Sequence, residues 1–594
     1  MPSYTAPLRD MRFVLNEVIG LDRLAALPGC EEIGPDLVDP ILEEAAKLCQ
    51  EVLLPLNRSG DEEGCHYENG VVRTPAGFPD AYRMLREGGW TALNCDPAYG
   101  GQGLPKTVNL LFEEMMCSTN LAFGMYPGLS HGAYSALHAH GSEALKTLYL
   151  PKLVSGEWSG TMCLTEPQCG TDLGLIRTRA APADDGSYRI SGTKIFISAG
   201  EHDLTDNIVH LVLAKLPDAP PGVRGISLFV VPKFLPDAAG RPGRRNGVSC
   251  GSIEHKMGIR ASSTCMMHFE DAQGWLVGEP HKGLRAMFTM MNEERLSVGI
   301  QGLGLAEISY QNAAAYAKER LQGRALGGTR YPDKPADPII VHPDVRRMLM
   351  TMRAYVEGCR ALGLMAALEH DVSVRSADAE ARLVAEDTVA LLTPVVKALF
   401  TDLGTEAANL GMQVLGGHGY IREWGMEQYV RDARIAQIYE GTNGVQALDL
   451  VGRKLPAHAG RYLRRFFHPV LAYIEAKGED EAMAEFVLPL SKAFGRLQQC
   501  TAEVARRGMG DPFEAGAAAA DYLRLFGLTA LGHMWARMAE TALAKQHGED
   551  AAFYRAKLAT ARFFFARILP QTSSLSASVL AGGATLRALE DAAF

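Results

Sequence analysis

The hydrophobic pattern of the chain changes twice, and this order limits the folds open to it. Up to about residue 160, apolar residues recur at helical spacing, as in "DLVDPILEEAAKLCQEVLLPLN". From 161 to 282 the chain has short alternating or apolar segments between turn residues, such as "YRISGTKIFIS" and "NIVHLVLAKL". These segments predict β-strands. Helical spacing returns at about residue 283 and continues to the end. The sequence therefore predicts a mainly α-helical protein with a central β domain.

These changes suggest five segments, since 594 residues are too many for one hydrophobic core. Within the first helical domain, the region of Asp36 is a predicted helix start and Pro55 a predicted helix end. The predicted segments are an N-terminal extension (1–35), a helical N-terminal domain (36–160), a β middle domain (161–282), a helical bundle (283–455) and a helical C-terminal extension (456–594).

Composition argues against several classes of protein. The apolar fraction is 47%, and the formal charge of -10 is mild for this length, which disfavours a dedicated nucleic-acid binder. We find no apolar run long enough to span a bilayer, and no basic head followed by an apolar run at the start. The 11 cysteines include no CxxC pair, so no metal site is expected. A cytoplasmic protein with buried thiols is the expectation.

The familiar nucleotide-binding loops are also missing. The sequence contains no GxxxxGK[ST]. "GLGLAE" (302–307) lies inside a helical run and lacks the third glycine, and "GGHGYI" (416–421) follows a helix instead of a strand. No HExxH and no GxSxG occurs. The sequence supports neither a P-loop nor a Rossmann site.

Four short stretches contain residues suited to chemistry, and each has an ordinary structural interpretation as well. "CLTEPQCGTDLG" (163–174) combines hydroxyls and backbone N–H groups that suit a ring edge or phosphate, or is only a turn. "GTKIFISAG" (192–200) predicts a strand with Phe196 and Ser198 on one face, able to stack on a ring or simply packed in the core. "NEER" (292–295) places two carboxylates next to an arginine, which on a helix is usually a solvated face or an ion pair. Glu440 in "QIYEGTNG" is a loop charge or a base directed into a cavity.

Together these stretches form an ordered set. "LTEP", "GTD", "GTKIFIS", "KMGIR", "NEERL", "YAKERLQGR" and "MQVLGGHGYIREWGMEQYVRDARIAQIYEGTN" follow one another over residues 36–455. This order resembles the acyl-CoA dehydrogenase family. The resemblance implies an α-helical N-domain, a β-barrel-like middle domain and a four-helix-bundle C-domain that enclose FAD and an acyl-CoA thioester. The family binds flavin without a Rossmann domain.

The resemblance also implies a base. Glu440 matches the family's catalytic glutamate, which removes the α-proton of the thioester while flavin N5 accepts the β-hydride, giving a trans-2-enoyl-CoA. A carboxylate suits this role if burial raises its pKa. Gly441 would give the substrate close access to the backbone. Glu294 stands where other members carry their base, so it is the alternative, either as a second acid in the pocket or as a solvent-facing residue.

Other site residues carry over from the family position by position. Asn292, Arg295, Thr171 and Gly441 match positions near the CoA substrate, and Phe123, Met125 and Tyr126 are expected at the floor of the acyl pocket. Gly444 stands where many relatives have glutamine. The expected FAD contacts are Cys163, Leu164, Thr165, Gly170, Thr171, Phe196, Ile197, Ser198, Thr442 and Gly444, and, toward the FAD of a neighbouring subunit, Arg320, Gln322, Gln413, Gly416 and Gly417.

The C-terminal extension resembles that of a bacterial branch of the family. The branch implies a fatty acyl-CoA or 3-methylmercaptopropionyl-CoA as substrate, fatty acid β-oxidation as a setting, a homodimer, and electron-transfer flavoprotein as electron acceptor. Three alternatives compete with this hypothesis: an acyl-CoA oxidase that uses oxygen, a DNA-binding relative, and an inactive acyl-CoA binder. The balanced charge of the extension disfavours DNA binding, and Glu440 disfavours the inactive binder.

Overall fold

The computed structural model describes residues 2–594, which form two compact units. The helical unit consists of the residues up to Glu44, Pro105–Ser118 and Val298–Phe594. The sheet unit consists of Ala45–Leu104 and Thr119–Ser297. Within this described part, none of the helices is both long enough and apolar enough to cross a membrane. The predicted fold class, mainly α-helical with a central sheet domain and a helical C-terminal extension, is confirmed. The five segment boundaries stay a prediction.

Helices make up most of the chain. They are α1 (Leu8–Arg12), α2 (Leu21–Ala25), α3 (Pro35–Lys47), α4 (Leu54–Glu63), α5 (Phe78–Glu87), α6 (Lys106–His140), α7 (Glu143–Val154), α8 (Gly283–Glu319), α9 (Pro343–Arg375), α10 (Ala379–Val414), α11 (Met426–Ala436), α12 (Asn443–Asp449), α13 (Ala457–Lys477), α14 (Ala484–Gly510), α15 (Pro512–Lys545), α16 (Ala551–Phe563) and α17 (Gln571–Ala581).

The strands lie in the sheet unit. They are β1 (His66–Glu68), β2 (Val71–Arg73), β3 (Trp158–Cys163), β4 (Arg179–Pro182), β5 (Tyr188–Ser198), β6 (Asn207–Lys215), β7 (Ile226–Pro232), β8 (Phe234–Pro236), β9 (Pro242–Arg245), β10 (Val248–Ile253) and β11 (Thr264–Val277).

Seven of these strands form one sheet that closes on itself. The pairings run β11–β5–β4–β6–β7 and return from β7 to β11, with β10 added beside β11 and β3 beside β6. Closure leaves an apolar interior that includes Ile190, Val212, Phe229 and Phe269. Every residue of β7 is buried, and this explains its continuous apolar sequence.

The helix that was predicted to end at Pro55 continues beyond it, so that prediction is wrong. A π-helical segment, Leu48–Leu53, follows α3, and α4 then runs from Leu54 to Glu63. Pro55 lies in the first turn of α4. Leu53 and Leu54, just before the proline, keep helical backbone conformations, so the chain stays helical through Pro55.

The C-terminal extension packs on the bundle of the helical unit. Its longest helix, α15, contacts α9, α10 and α12 as well as α14, α16 and α17. Trp535 of α15 is fully buried, and its indole N–H donates to the carbonyl of Ala354 in α9 at 3.2 Å. A helix that is apolar on all sides needs neighbours on all sides, and α15 has them from both the bundle and the extension.

A buried cluster of charges crosses the helical unit. The Arg360 guanidinium on α9 donates to Glu114 of α6 at 3.0 Å, to Glu307 of α8 at 2.5 Å, and to Asp10 of α1. The Lys557 ammonium on α16 also pairs with Asp10. Arg360 and Lys557 are each 1% exposed. The cluster therefore joins five helices, α1, α6, α8, α9 and α16.

Carboxylates outnumber the cations in this cluster, and the pKa of one of them, Glu114, is raised. Burial raises the pKa of Glu114 to about 7. The negative charges of Glu307 and Asp10 raise it further, and the positive charge of Arg360 only partly opposes these effects. The attraction of Lys557 and Arg360 outweighs burial at Asp10 and lowers its pKa. Arg360 is thus the group that makes it favourable to keep these carboxylates in the interior.

Replacing Arg360 should destabilise the fold strongly. Arg360→Met leaves Asp10, Glu114 and Glu307 without their shared partner, and we expect a loss of about 3–5 kcal/mol in the free energy of unfolding. Denaturant unfolding followed by circular dichroism measures it. The control is Arg347→Met on the same helix, whose pair with Asp344 is exposed; its effect should stay within about 0.5 kcal/mol. Equal effects for the two variants would contradict this account of the cluster.

Candidate active site

Glu440 lies at a sharp corner of the helical unit. Helix α11 ends at Ala436, and α12 begins at Asn443 with Thr442 as its N-cap residue. Between them, Glu440 and Gly441 both have left-handed backbone conformations, with φ of 55° and 83°. Glycine adopts this conformation without strain, whereas a glutamate there costs on the order of 1–3 kcal/mol. The surroundings must hold Glu440 in place.

The side chain of Asn443 makes several of the hydrogen bonds that keep this corner in place. Its side-chain oxygen accepts from the Lys397 ammonium at 2.8 Å, and its amide donates to Asp402 at 2.7 Å and to Thr401 at 3.0 Å. All three partners are on α10. Lys397 is fully buried, so Asn443 also satisfies a charge that has no access to water. The corner is thereby fastened to α10.

Gln446 holds the corner from the other side. Its amide donates to the carbonyls of Glu440 at 3.3 Å and Gly441 at 3.2 Å. Glu440 itself is half-buried. The sequence analysis named neither Gln446 nor Asn443 as a site residue. The available signal was the polar Asn443 inside "QIYEGTNG", directly at a predicted helix start.

Thr442 and Gly444, predicted cofactor contacts, are both exposed. The Thr442 hydroxyl donates to the carbonyl of Gln437 at 3.2 Å. A Cβ on Gly444 would meet no atom of this chain within 4 Å, so packing within the chain does not require glycine there. At Gly444 the backbone and the open space beside it remain for a ligand. The side chain of Thr442 instead stabilises the turn.

In the sheet unit, the end of β5 presents an unusual aromatic surface. Phe196 is 59% exposed and has a left-handed backbone with φ of 58°, while the next residue, Ile197, is buried in the sheet core. The register with β11 shifts at this point, which marks a β-bulge. Ser198 is half-buried, on the side away from Ile197. The bulge thus leaves a flat ring beside a hydroxyl at the surface of the sheet unit.

The loop after β3 is tied to this strand. The carbonyl of Leu164 accepts from the Lys194 ammonium at 2.9 Å, and the carbonyl of Thr165 accepts from the backbone N–H of Ile195 at 2.9 Å. Leu164 and Thr165 are half-buried. The predicted flavin-facing loop and the predicted flavin-facing strand are therefore joined directly, just before Phe196.

A buried ion pair stabilises that loop. Lys194 and Glu166 are 0% and 3% exposed, and their charged atoms lie 2.8 Å apart. Glu166 also accepts from the hydroxyl of Thr178 at 2.6 Å and the backbone N–H of Arg177 at 2.6 Å. Burial alone would raise the pKa of Glu166, but Lys194 and these hydrogen bonds lower it to about 2. Neither residue of the pair was predicted as a site residue, although a lysine at an inward position of a predicted strand was an available signal.

Three further predicted residues of this loop differ in what they can offer. Cys163 is fully buried, with its sulfur 3.4 Å from the Thr161 hydroxyl, and burial raises the pKa of the thiol to about 12. Its side chain belongs to the sheet core, which leaves only its backbone for a cofactor. Gly170 and Thr171 are exposed.

The stretch "NEER" (292–295) lies on the first half of α8, in the sheet unit. Glu294 and Arg295 are 7% and 9% exposed, so Glu294 is not solvent-facing. A Cβ on Gly132 of α6 would stand 2.7 Å from a carboxylate oxygen of Glu294. Gly132, which the sequence analysis did not single out, therefore makes room for this acid. Asn292 is exposed and lies 3.5 Å from Arg295.

The expected floor of the acyl pocket is formed by tightly packed residues of the sheet unit. Phe123 packs edge-on against Phe78, with ring centroids 5.5 Å apart. The Tyr126 hydroxyl donates to the carbonyl of Ala261 at 3.1 Å. Both side chains are fully buried, and Met125 is buried as well. Phe123 and Tyr126 are thus fixed in position by their neighbours.

Two other predicted segments come together at one end of the helical unit. The Tyr316 hydroxyl on α8 lies 2.8 Å from His418 Nδ1 in the turn after α10, and His418 stacks on Trp424 at 4.6 Å. The predicted contacts of this region are all exposed: Arg320, Gln322, Gln413, Gly416 and Gly417. Sequence reasoning missed the aromatic and histidine contacts that bring the two segments together.

Family models match almost the whole chain. They are the acyl-CoA dehydrogenase N-terminal domain over residues 39–157, the middle domain over 161–272, the C-terminal domain over 281–455, and the acetyl-CoA dehydrogenase C-terminal-like domain over 456–590. The chain belongs to the acyl-CoA dehydrogenase family. It is an FAD-dependent oxidoreductase, since FAD is the cofactor of that family.

Similar proteins span the same length. A 3-methylmercaptopropionyl-CoA dehydrogenase of Ruegeria pomeroyi is 44% identical, over 96% of this chain and 97% of its own. A butyryl-CoA dehydrogenase of Syntrophomonas wolfei is 34% identical, over 96% of this chain and 95% of its own. The crystal structure of an acyl-CoA dehydrogenase complexed with FAD from Bacillus anthracis has the same fold, with a TM-score of 0.76 at 22% identity, over 98% of this chain and 93% of that one.

The residues of the sheet unit fit a flavin. An exposed phenylalanine ring at a bulge is an apolar surface that a planar ring system can cover, and the Ser198 hydroxyl beside it can hydrogen-bond the ring edge. The loop residues Leu164 and Thr165 are held alongside by Lys194 and Glu166.

Loosening the Glu440 corner should slow the reaction without releasing the cofactor. In Asn443→Ala the bonds to Lys397, Thr401 and Asp402 are lost, so we expect flavin reduction by acyl-CoA to slow by about 10- to 100-fold, since small misplacements of a catalytic group have such effects. Stopped-flow absorbance of the flavin measures the rate, and the bound FAD content should be unchanged. Asn409→Ala, on an exposed part of α10, is the control. A normal rate in a folded Asn443→Ala protein would refute this role.

Proposed function

We propose that this protein oxidises the Cα–Cβ bond of an acyl-CoA thioester and forms a trans-2-enoyl-CoA. The observation that carries the proposal is the half-buried Glu440 on a left-handed residue, fastened through Asn443 and Gln446. A carboxylate fixed in this way can accept a proton without first reorganising. Membership of the acyl-CoA dehydrogenase family supports the same reaction.

In this proposal Glu440 removes one α-proton, and the electron pair of that C–H bond forms the new double bond. The chemistry that bound FAD supplies is acceptance of the β-hydrogen as hydride. The backbone N–H of Glu440 donates to the thioester oxygen, where negative charge develops, and a preorganised donor of this kind lowers the barrier. Gly441 leaves the thioester room to approach the backbone.

Two groups of residues would hold the cofactor. Thr165, Thr171 and Ser198 would contribute hydroxyls, and Leu164 its backbone. Phe196 would contribute apolar surface, whereas the buried Ile197 would contribute only its backbone. In the sheet unit, the backbone of Cys163 and Gly170 would add to these contacts. In the helical unit, Thr442 and Gly444 would offer their backbone to FAD. The exposed residues at the end of the helical unit would contact the adenine end of FAD bound to a neighbouring subunit: Arg320, Gln322, Gln413, Gly416 and Gly417.

Glu294 is a second acid in this proposal and Glu440 the base. Glu294 is buried against Gly132 on a regular helix, whereas Glu440 is held at a strained corner by polar contacts to its own backbone and its neighbour. Asn292 and Arg295 contribute to the CoA side of the substrate site.

As substrate we propose 3-methylmercaptopropionyl-CoA, with a short fatty acyl-CoA such as butyryl-CoA as the alternative. The support is the full-length similarity to dehydrogenases named for these two compounds, at 44% and 34% identity. The two acyl chains are similar in length and differ mainly by the thioether sulfur.

Anaerobic flavin bleaching tests both substrate and base. We expect 3-methylmercaptopropionyl-CoA to bleach the wild-type flavin fastest among a panel of acyl-CoAs. Glu440→Gln should slow bleaching by at least about 1,000-fold, because no carboxylate is left to take the α-proton. Glu294→Gln is the matched control and should keep most of the rate.

The opposite result would overturn this assignment: bleaching lost in Glu294→Gln and nearly normal in Glu440→Gln. Failure of every acyl-CoA to bleach the wild-type flavin would overturn the proposed reaction itself.

We also propose that the protein works as a homodimer, in the cytoplasm, in fatty acid β-oxidation, and passes its electrons to electron-transfer flavoprotein. Resemblance to the extended bacterial branch of the family supports these proposals. The packing of α15 on α9 and α10 is consistent with a dimer, because the extension covers bundle surface that shorter family members use for assembly.

A further inference from the structure

A basic cavity lies where the C-terminal extension begins, within the helical unit. Its volume is about 410 Å³, and helix α13 and the start of α10 form its walls. This volume is within the range of about 300–1,000 Å³ that is usual for small-molecule sites. The residues that line it are Val384, Arg461, Arg464, Arg465, His468 and Pro469.

The charge of the cavity is only partly compensated. Asp387, which is 2% exposed, accepts both arms of Arg461 at 2.7 and 2.9 Å, and Arg465 at 3.4 Å. One carboxylate therefore serves two guanidinium groups. Glu380 also pairs with Arg465, but it is 69% exposed, and exposed pairs contribute little. Arg464 adds a further charge, so the cavity keeps a positive potential.

The start of α13, directly before the lining residues in sequence, is strained. His458, Ala459 and Gly460 have three consecutive left-handed conformations, with φ of 49°, 54° and 76°. The carbonyl of Ala459 accepts from the Arg464 guanidinium at 2.8 Å. Two of these residues are not glycine, so the conformation costs free energy, and strain of this kind gathers at ligand sites.

We propose that this cavity binds a nucleoside phosphate. Guanidinium groups bind phosphate oxygens through paired hydrogen bonds, and arginine is the side chain best suited to that geometry. The volume exceeds that of a phosphate group alone, and Val384 and Pro469 provide an apolar wall for an attached planar group. Arg461 and Arg465 are already oriented by Asp387, and Arg464 is exposed and available at the rim.

This chemistry has two sources: a free adenine nucleotide, or the nucleotide end of the CoA substrate. The second source rests on the proposed function. Either ligand would place its phosphates on the arginines, so a titration with ADP detects the site in both cases. Competition with acyl-CoA then distinguishes the two ligands.

Calorimetric titration of the FAD-saturated, full-length protein with ADP tests the proposal. We expect ADP to bind the wild type, and Arg464→Glu to weaken binding by about tenfold or more, since the phosphate then faces a carboxylate. Arg506→Glu, at an exposed arginine of α14 in the same extension, is the control and should bind as the wild type does. The melting temperature of each variant confirms that it is folded.

A repeat titration with saturating acyl-CoA identifies the source. Loss of ADP binding assigns the cavity to the nucleotide end of CoA, and unchanged binding assigns it to a free nucleotide; both support the site. No binding of ADP to the wild type, equal binding to Arg464→Glu, or adenosine binding as tightly as ADP would overturn it. ADP binding needs no flavin reduction, so failure of the proposed dehydrogenation is distinguishable from failure of this site.

Discussion

The helical unit depends on one buried guanidinium. Arg360 reaches Asp10, Glu114 and Glu307, which lie 350, 246 and 53 positions away in the chain, and Lys557 carries the network into the C-terminal extension. Each carboxylate would be costly in the interior without this partner. The start of the chain, the bundle and the extension are therefore parts of one structure, and the extension is no separate module.

A similar arrangement recurs on a smaller scale at both parts of the candidate site. In the helical unit, the buried Lys397 holds Asn443 and with it the corner that carries Glu440. In the sheet unit, the buried Lys194 pairs with Glu166 and holds the loop beside Phe196. In both cases a buried charge fixes a loop by polar bonds that apolar packing cannot supply. Preorganisation of this kind is what proton removal and flavin binding require.

Much of the fold could be predicted from sequence, because hydrophobic spacing is local and the order of the motifs is specific. The closed sheet, the long helices and the FAD-dependent class follow from such patterns. The partners of Arg360 and Asn443 could not be predicted, since they pair across long separations and have no periodic signal. A local rule failed at Pro55, because a π-helical segment leads directly into the helix that contains the proline. For Glu294 the sequence left two interpretations open, and the structure buries this residue beside Gly132.

The central claim is that Glu440 removes the α-proton, and solvent exchange tests it most directly. An acyl-CoA with sulfur in place of the β-carbon keeps its α-protons but has no β-hydrogen to transfer, so proton removal can be observed alone. In ²H₂O, mass spectrometry should detect deuterium at the α-carbon with the wild type and with Glu294→Gln, and none above background with Glu440→Gln. Deuterium incorporation by folded, FAD-containing Glu440→Gln at the wild-type rate would contradict the account.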